Sequence, residues 1–72
     1  MNKTTNFELA EKLDKLQERE NEGRGVSCVQ VIIQFLRFDA RDTATTVARV
    51  DQDKIRQYPE IEQLLIDEGL CD

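Results

Sequence analysis

The chain is 72 residues long, with 10 basic side chains, 15 acidic ones, a formal net charge of −5 and no histidine. That length fits one domain, and a domain so small buries only about 60% of the surface its unfolded chain exposes. The missing histidine removes the commonest general base and metal ligand, and with them any Ser-His or Cys-His nucleophile pair.

The only cysteines, Cys28 and Cys71, are too few for a four-ligand zinc site. One lies in an apolar run and the other beside the C-terminus, and they read as free thiols in a reducing compartment. No catalytic residue, cofactor or metal is expected, so the chain reads as a non-enzymatic protein. Met1 to Asn6 leads into charged residues without an apolar stretch, and the apolar run 26–38 is shorter than the ~20 residues a membrane span needs. A cytoplasmic location with no membrane partner is the expectation.

Charge is distributed unevenly. Up to residue 58 the two signs balance, while the segment from Pro59 holds Glu60, Glu62, Asp67, Glu68 and Asp72 with no basic residue. A net acidic chain is repelled by phosphate backbones, which disfavours nucleic acid as a nonspecific partner.

Residues 1–5 are expected to form a disordered lead-in. Thr5-Asn6-Phe7-Glu8 then fits a capping box, in which the threonine hydroxyl takes the Glu8 amide and the Glu8 carboxylate reaches back. This predicts a helix over 6–20. Leu9, Leu13 and Leu16 fall at i, i+4 and i+7 on one narrow stripe, with Phe7 and Ala10 beside it. Glu8–Lys12 and Glu11–Lys15 are spaced to pair across one turn. So narrow a stripe can dock on the chain's own centre or form one side of a seam completed by a partner helix or a second copy. Asn21-Glu22-Gly23-Arg24-Gly25 predicts a turn; its glycines lack the lysine and serine of a phosphate loop.

The run 26–38 supports two periodicities. As a helix over 27–38 it shows one polar line, Ser27, Gln30, Gln34 and Arg37, continuing to Arg41, with apolar residues elsewhere. As a strand it alternates Val29, Val31, Ile33 and Phe35, with 43–50 as a hairpin partner. The run exceeds the common strand length of ~5–6 residues, and the unbroken polar line favours the helix. A further helix over 40–50 would bury Ala40, Ala44, Val47 and Val50, with Asp39 or Asp42 as its cap.

Asp51 or Asp53 can cap a short turn through Ile55 and Tyr58. Asp51-Gln52-Asp53 looks like the opening of a calcium loop, but Arg56 holds the place of its turn glycine, so capping is the reading. Pro59 at a first helical position, Glu60 and Glu62 in the first turn, and Ile61, Leu64 and Leu65 on one face predict a helix over 59–68. Gly69 suits a left-handed cap, with Leu70 folding back on Leu65 or Ile66.

The expected fold is all-α, a single small bundle of three to four helices (6–20, 27–38, 40–50, 59–68) around the central apolar one. The alternative is α+β, a helix–β-hairpin–helix. The expected function is a protein–protein interaction or regulatory module, an adaptor or inhibitor, meeting its partner through Leu9, Leu13 and Leu16 or through Glu60, Glu62, Asp67 and Glu68. The alternative is a small helix-turn-helix-like DNA-binding or transcription-accessory protein built on 43–58, using Arg37, Arg41, Arg49, Lys54 and Arg56. Asp51 and Asp53 would then face phosphates, and Pro59 would cut the recognition helix short.

Overall fold

A computed structural model describes residues 4–20 and 27–72. Residues 1–3, within the expected lead-in, and the turn expected over 21–25 lie outside or beyond these. The described residues form helices α1 (Asn6–Glu20), α2 (Ser27–Arg37), α3 (Arg41–Val50), α4 (Gln52–Ile55) and α5 (Pro59–Asp67), with no strand among them. The protein is thus a small all-α bundle, and the hairpin alternative is set aside.

The helical period decides the central segment. Cys28, Val29, Ile32, Ile33 and Leu36 are buried, at the one-and-four spacing of a single helix face. Ser27, Gln30, Gln34 and Arg37 form the exposed line opposite. Alternation would have buried Val31, which is 43% exposed beside that line. β-Branched residues tolerate the helix because packing on both flanks outweighs their small propensity deficit. α2 packs against α1 on one side and α3 on the other, while α5 lies on α1 and α4 links α3 to α5.

α1 begins as a capped helix should. The Glu8 amide donates to Thr5 Oγ1 at 3.2 Å, and the Thr5 hydroxyl donates to Glu8 Oε1 at 2.8 Å. The carboxylate therefore returns to the hydroxyl, a variant of the expected box. The Glu8–Lys12 and Glu11–Lys15 pairs do not close among the described residues.

Two helices end in left-handed residues, one anticipated and one not. At α5, Gly69 has φ 82°, its amide donates to the Ile66 carbonyl at 3.1 Å, and the Leu70 amide donates to the Leu65 carbonyl at 2.8 Å. Leu70 is fully buried, as this Schellman geometry places it. At α2 the left-handed residue is Asp39, φ 61°, with the Ala40 amide on the Phe35 carbonyl at 2.8 Å. Asp39 thus closes α2 instead of capping α3, whose N-cap is Ala40 with no side-chain bond. Asn6 Nδ2 donates to the Asp39 carboxylate and holds it there. Asp39→Gly should raise stability by up to about 1 kcal/mol, offset partly by the lost Asn6 bond, while Gly69→Ala should lower it by about 1 kcal/mol; paired urea titrations read both, and equal signs would refute the assignment.

α3 is rotated relative to expectation. Ala44 and Ala48 are fully buried and Val47 partly so, but Val50 is 77% exposed. Successive helical residues turn by about 100°, so a residue two beyond inward-facing Ala48 points about 200° away. The threonines are accommodated by back-bonding: Thr45 Oγ1 donates to the Arg41 carbonyl at 2.8 Å and Thr46 Oγ1 to the Asp42 carbonyl at 3.2 Å. α4 has Asp51 as its N-cap with no side-chain bond, so the expected capping by aspartate is carried by the Asp51 carbonyl alone.

Candidate interaction surface

The two ends of the bundle are set by side-chain ties between distant segments. At one end Arg41 Nη1 donates to the Thr4 carbonyl at 3.3 Å and to Asn6 Oδ1 at 2.9 Å. Its Nη2 donates to the Glu68 carbonyl at 2.9 Å and to Glu68 Oε1 at 3.1 Å. Thr4 Oγ1 donates to Glu68 Oε2 at 3.0 Å. The start of α1, the end of α2, the start of α3 and the end of α5 therefore meet here. At the other end the Glu60 amide donates to Glu20 Oε1 at 2.9 Å, so a carboxylate from α1 satisfies an orphan amide of α5.

The first end carries two exposed aromatic rings. Phe7 is 60% and Phe38 79% exposed, and each is the sequence neighbour of a residue in the Asn6–Asp39 hydrogen bond. Exposed carboxylates of Glu8, Asp39, Asp42 and Asp67 belong to the same segments. Among the described residues the arginines of that end are engaged, Arg41 by Glu68 and Arg37 by Asp14 at 3.8 Å. Among the described residues the two rings thus stand among mostly acidic side chains.

The residues expected from sequence to meet a partner are dispersed differently. Leu9 and Leu13 have no accessible surface and belong to the core with α2, so the leucine stripe is largely internal. A seam would require them outside; only Leu16, partly buried, reaches the surface. Of the acids, Glu68 is turned inward to Arg41, and Glu62 lies 3.4 Å from Arg56 Nε and accepts from Gln52 Nε2 at 3.4 Å. Glu60 and Asp67 stay exposed, the first bonded to Arg19 at 3.1 Å and the second accepting from Gln63 Nε2 at 2.9 Å. The signal that sequence reading missed is the placement of Phe7 and Phe38. Each flanks a helix terminus, where a large apolar residue is as readily outside as inside.

The basic set needed for DNA is drawn into ion pairs. Besides Arg37 and Arg41, Arg49 lies 3.7 Å from Asp72, and Arg56 lies 2.8 Å from Asp53. The fifth member, Lys54, is exposed on α4. The would-be recognition helix α4 has four residues, about one turn, too short to lie along a groove.

A cleft of about 560 Å³ opens between the start of α2 and α4, lined by Cys28, Val31, Asp51, Lys54 and Tyr58 among others. No cluster of three or more metal-ligating side chains occurs among the described residues, and Asp51 and Asp53 stand on a helix start instead of a calcium loop. No helix there is long and apolar enough to cross a membrane.

Both thiols are free and buried, and Cys71 Sγ donates to the Ala48 carbonyl at 3.6 Å. Burial pushes both above the ordinary thiol value of 9.0, helped by Asp51 near Cys28 and by Glu62 near Cys71. Raised values mean that folding favours the protonated thiols. Their contribution to stability is therefore complete below pH 9 and is lost as pH rises through the still higher folded-state values. The urea midpoint should fall more steeply above pH 9 in the wild type than in Cys28→Ala/Cys71→Ala, and parallel profiles would contradict the assignment.

Comparison with protein-family models, curated proteins and solved structures finds no match for this chain.

Proposed function

We propose that this chain is a non-enzymatic protein-interaction module, an adaptor or inhibitor acting in a reducing compartment such as the cytoplasm. The observation that carries the reading is the exposed Phe7–Phe38 pair at the tied end of the bundle. Aromatic side chains, phenylalanine among them, are enriched at protein interfaces relative to the rest of the surface. Leaving two of them in water forgoes the roughly 1.5–3 kcal/mol that burying each would contribute on a domain with a thin margin, and a partner that covers them recovers it. The surrounding carboxylates suit a partner whose apolar pocket has a basic rim, steering approach and excluding acidic surfaces.

The free buried thiols support a reducing compartment. The DNA-binding alternative has less support, since four of its five basic residues are paired with carboxylates. A mobility-shift titration against mixed duplex DNA at low salt tests between them. The interaction reading expects no shift, and a salt-dependent shift would overturn it in favour of DNA.

A further inference from the structure

Neither phenylalanine lines the open groove of about 590 Å³ that α1 and α5 leave between Lys12, Lys15, Leu16, Glu18, Arg19 and Leu64. Its floor is apolar: Leu16 and Leu64 both pack on the core yet keep accessible surface. Its α1 rim is cationic. Lys12, Lys15 and Arg19 recur at spacings of three and four, which places them on the helical face that carries Leu16. This is a local reversal of sign on a chain of net charge −5.

The unpaired positive charge of the rim rests on Lys12 and Lys15. Arg19 is shared with Glu60 at 3.1 Å. Glu18 is exposed, and neither Lys12 nor Lys15 has a carboxylate within ion-pair distance among the described residues. Two solvated ammonium groups thus stand over an uncovered leucine pair, available to an incoming ligand.

We infer that this groove binds an acidic amphipathic helix of a partner protein, its apolar side chains seated between Leu16 and Leu64 and its carboxylates meeting Lys12 and Lys15. Charge complementarity selects that occupant. A basic segment would be repelled along the α1 rim, and an uncharged one would leave the ammonium groups without gain. The chain's own surface is mostly acidic elsewhere, so the groove and the phenylalanine end attract partners of opposite charge. One module would then bridge two different surfaces.

The probe is a synthetic helical peptide of leucine, alanine and glutamate with leucines at i, i+4 and i+7. It is titrated into the ¹⁵N-labelled full chain and followed by amide chemical shifts. Saturable shifts centred on Lys12, Leu16, Arg19 and Leu64 are expected, with affinity falling about tenfold when glutamine replaces glutamate in the peptide. Lys12→Glu/Lys15→Glu, at exposed positions that leave the fold intact by circular dichroism, should weaken binding by a further factor of about ten. No shifts at low salt, equal binding of the glutamine peptide, or equal binding by the double variant would overturn the inference. Shifts centred on Phe7 and Phe38 would also overturn it while leaving the proposed function standing. Self-association abolished by Lys12→Glu/Lys15→Glu in sedimentation equilibrium would instead assign the groove to a second copy.

Discussion

Leu13→Glu is expected to unfold the chain, not to separate a complex into monomers. Leu13 has no accessible surface and lies in the core shared by α1 and α2. The substitution removes about 2–3 kcal/mol of apolar burial and puts a carboxylate where no partner waits, which adds several kcal/mol more. A domain of this length is stable by about 4–11 kcal/mol in total, so most or all of that margin is consumed. Loss of the far-ultraviolet helical signal at 25 °C checks this. A folded Leu13→Glu monomer, beside a wild type that sediments as a dimer, would mean that the leucine stripe is an intermolecular seam. The milder Leu13→Ala should cost about 2–5 kcal/mol and keep the fold at low temperature.

The second large effect belongs to Arg41. Its guanidinium makes four hydrogen bonds to Thr4, Asn6 and Glu68, and the two charged side chains retain 23% and 13% of their exposure. Arg41→Met leaves the Glu68 carboxylate poorly solvated and without its main partner. Breaking a fully buried pair costs about 3–5 kcal/mol, and the residual exposure reduces this to about 2–3 kcal/mol. Lysine would recover little, because one ammonium cannot span acceptors on two segments as the planar fork does. Arg41→Met/Glu68→Met should regain much of the loss, since no charge is then stranded. Urea unfolding of the single and double variants completes the cycle; an unchanged midpoint for Arg41→Met would show the clamp to be surface decoration. Under the DNA-binding alternative Arg41 would have to leave these four bonds to reach a phosphate.

What the sequence made legible follows from local chemistry. The Thr5 cap, the Pro59 start, the Gly69 stop and the polar line of α2 each depend on residues within one or two turns, and each is found where the pattern placed it. The errors arise where distant segments decide. Asp39 adopts a left-handed conformation that aspartate tolerates but does not advertise, held by Asn6 from another helix. Val50 is turned outward because α3 approaches α2 through Ala44 and Ala48, small residues whose burial no hydrophobicity count emphasises. The acids along and just after α5 divide by what lies opposite: Glu62 finds Arg56 just after α4, Glu68 finds Arg41 of α3, and Glu60 finds Arg19 of α1. None of those pairings has a period. The placement of Phe7 and Phe38 has no period either, since only the folded chain brings residues 7 and 38 to one end.

The most direct test of the interaction reading compares capture by wild type and by Phe7→Ser/Phe38→Ser from nuclease-treated lysate of the source organism. Both positions are exposed, so the double variant should match the wild type in helicity and lie within about 1 kcal/mol of it in stability. The reading predicts a discrete protein retained by the wild type and lost with the double variant. Identical capture by both proteins, or no protein retained by either, would contradict it.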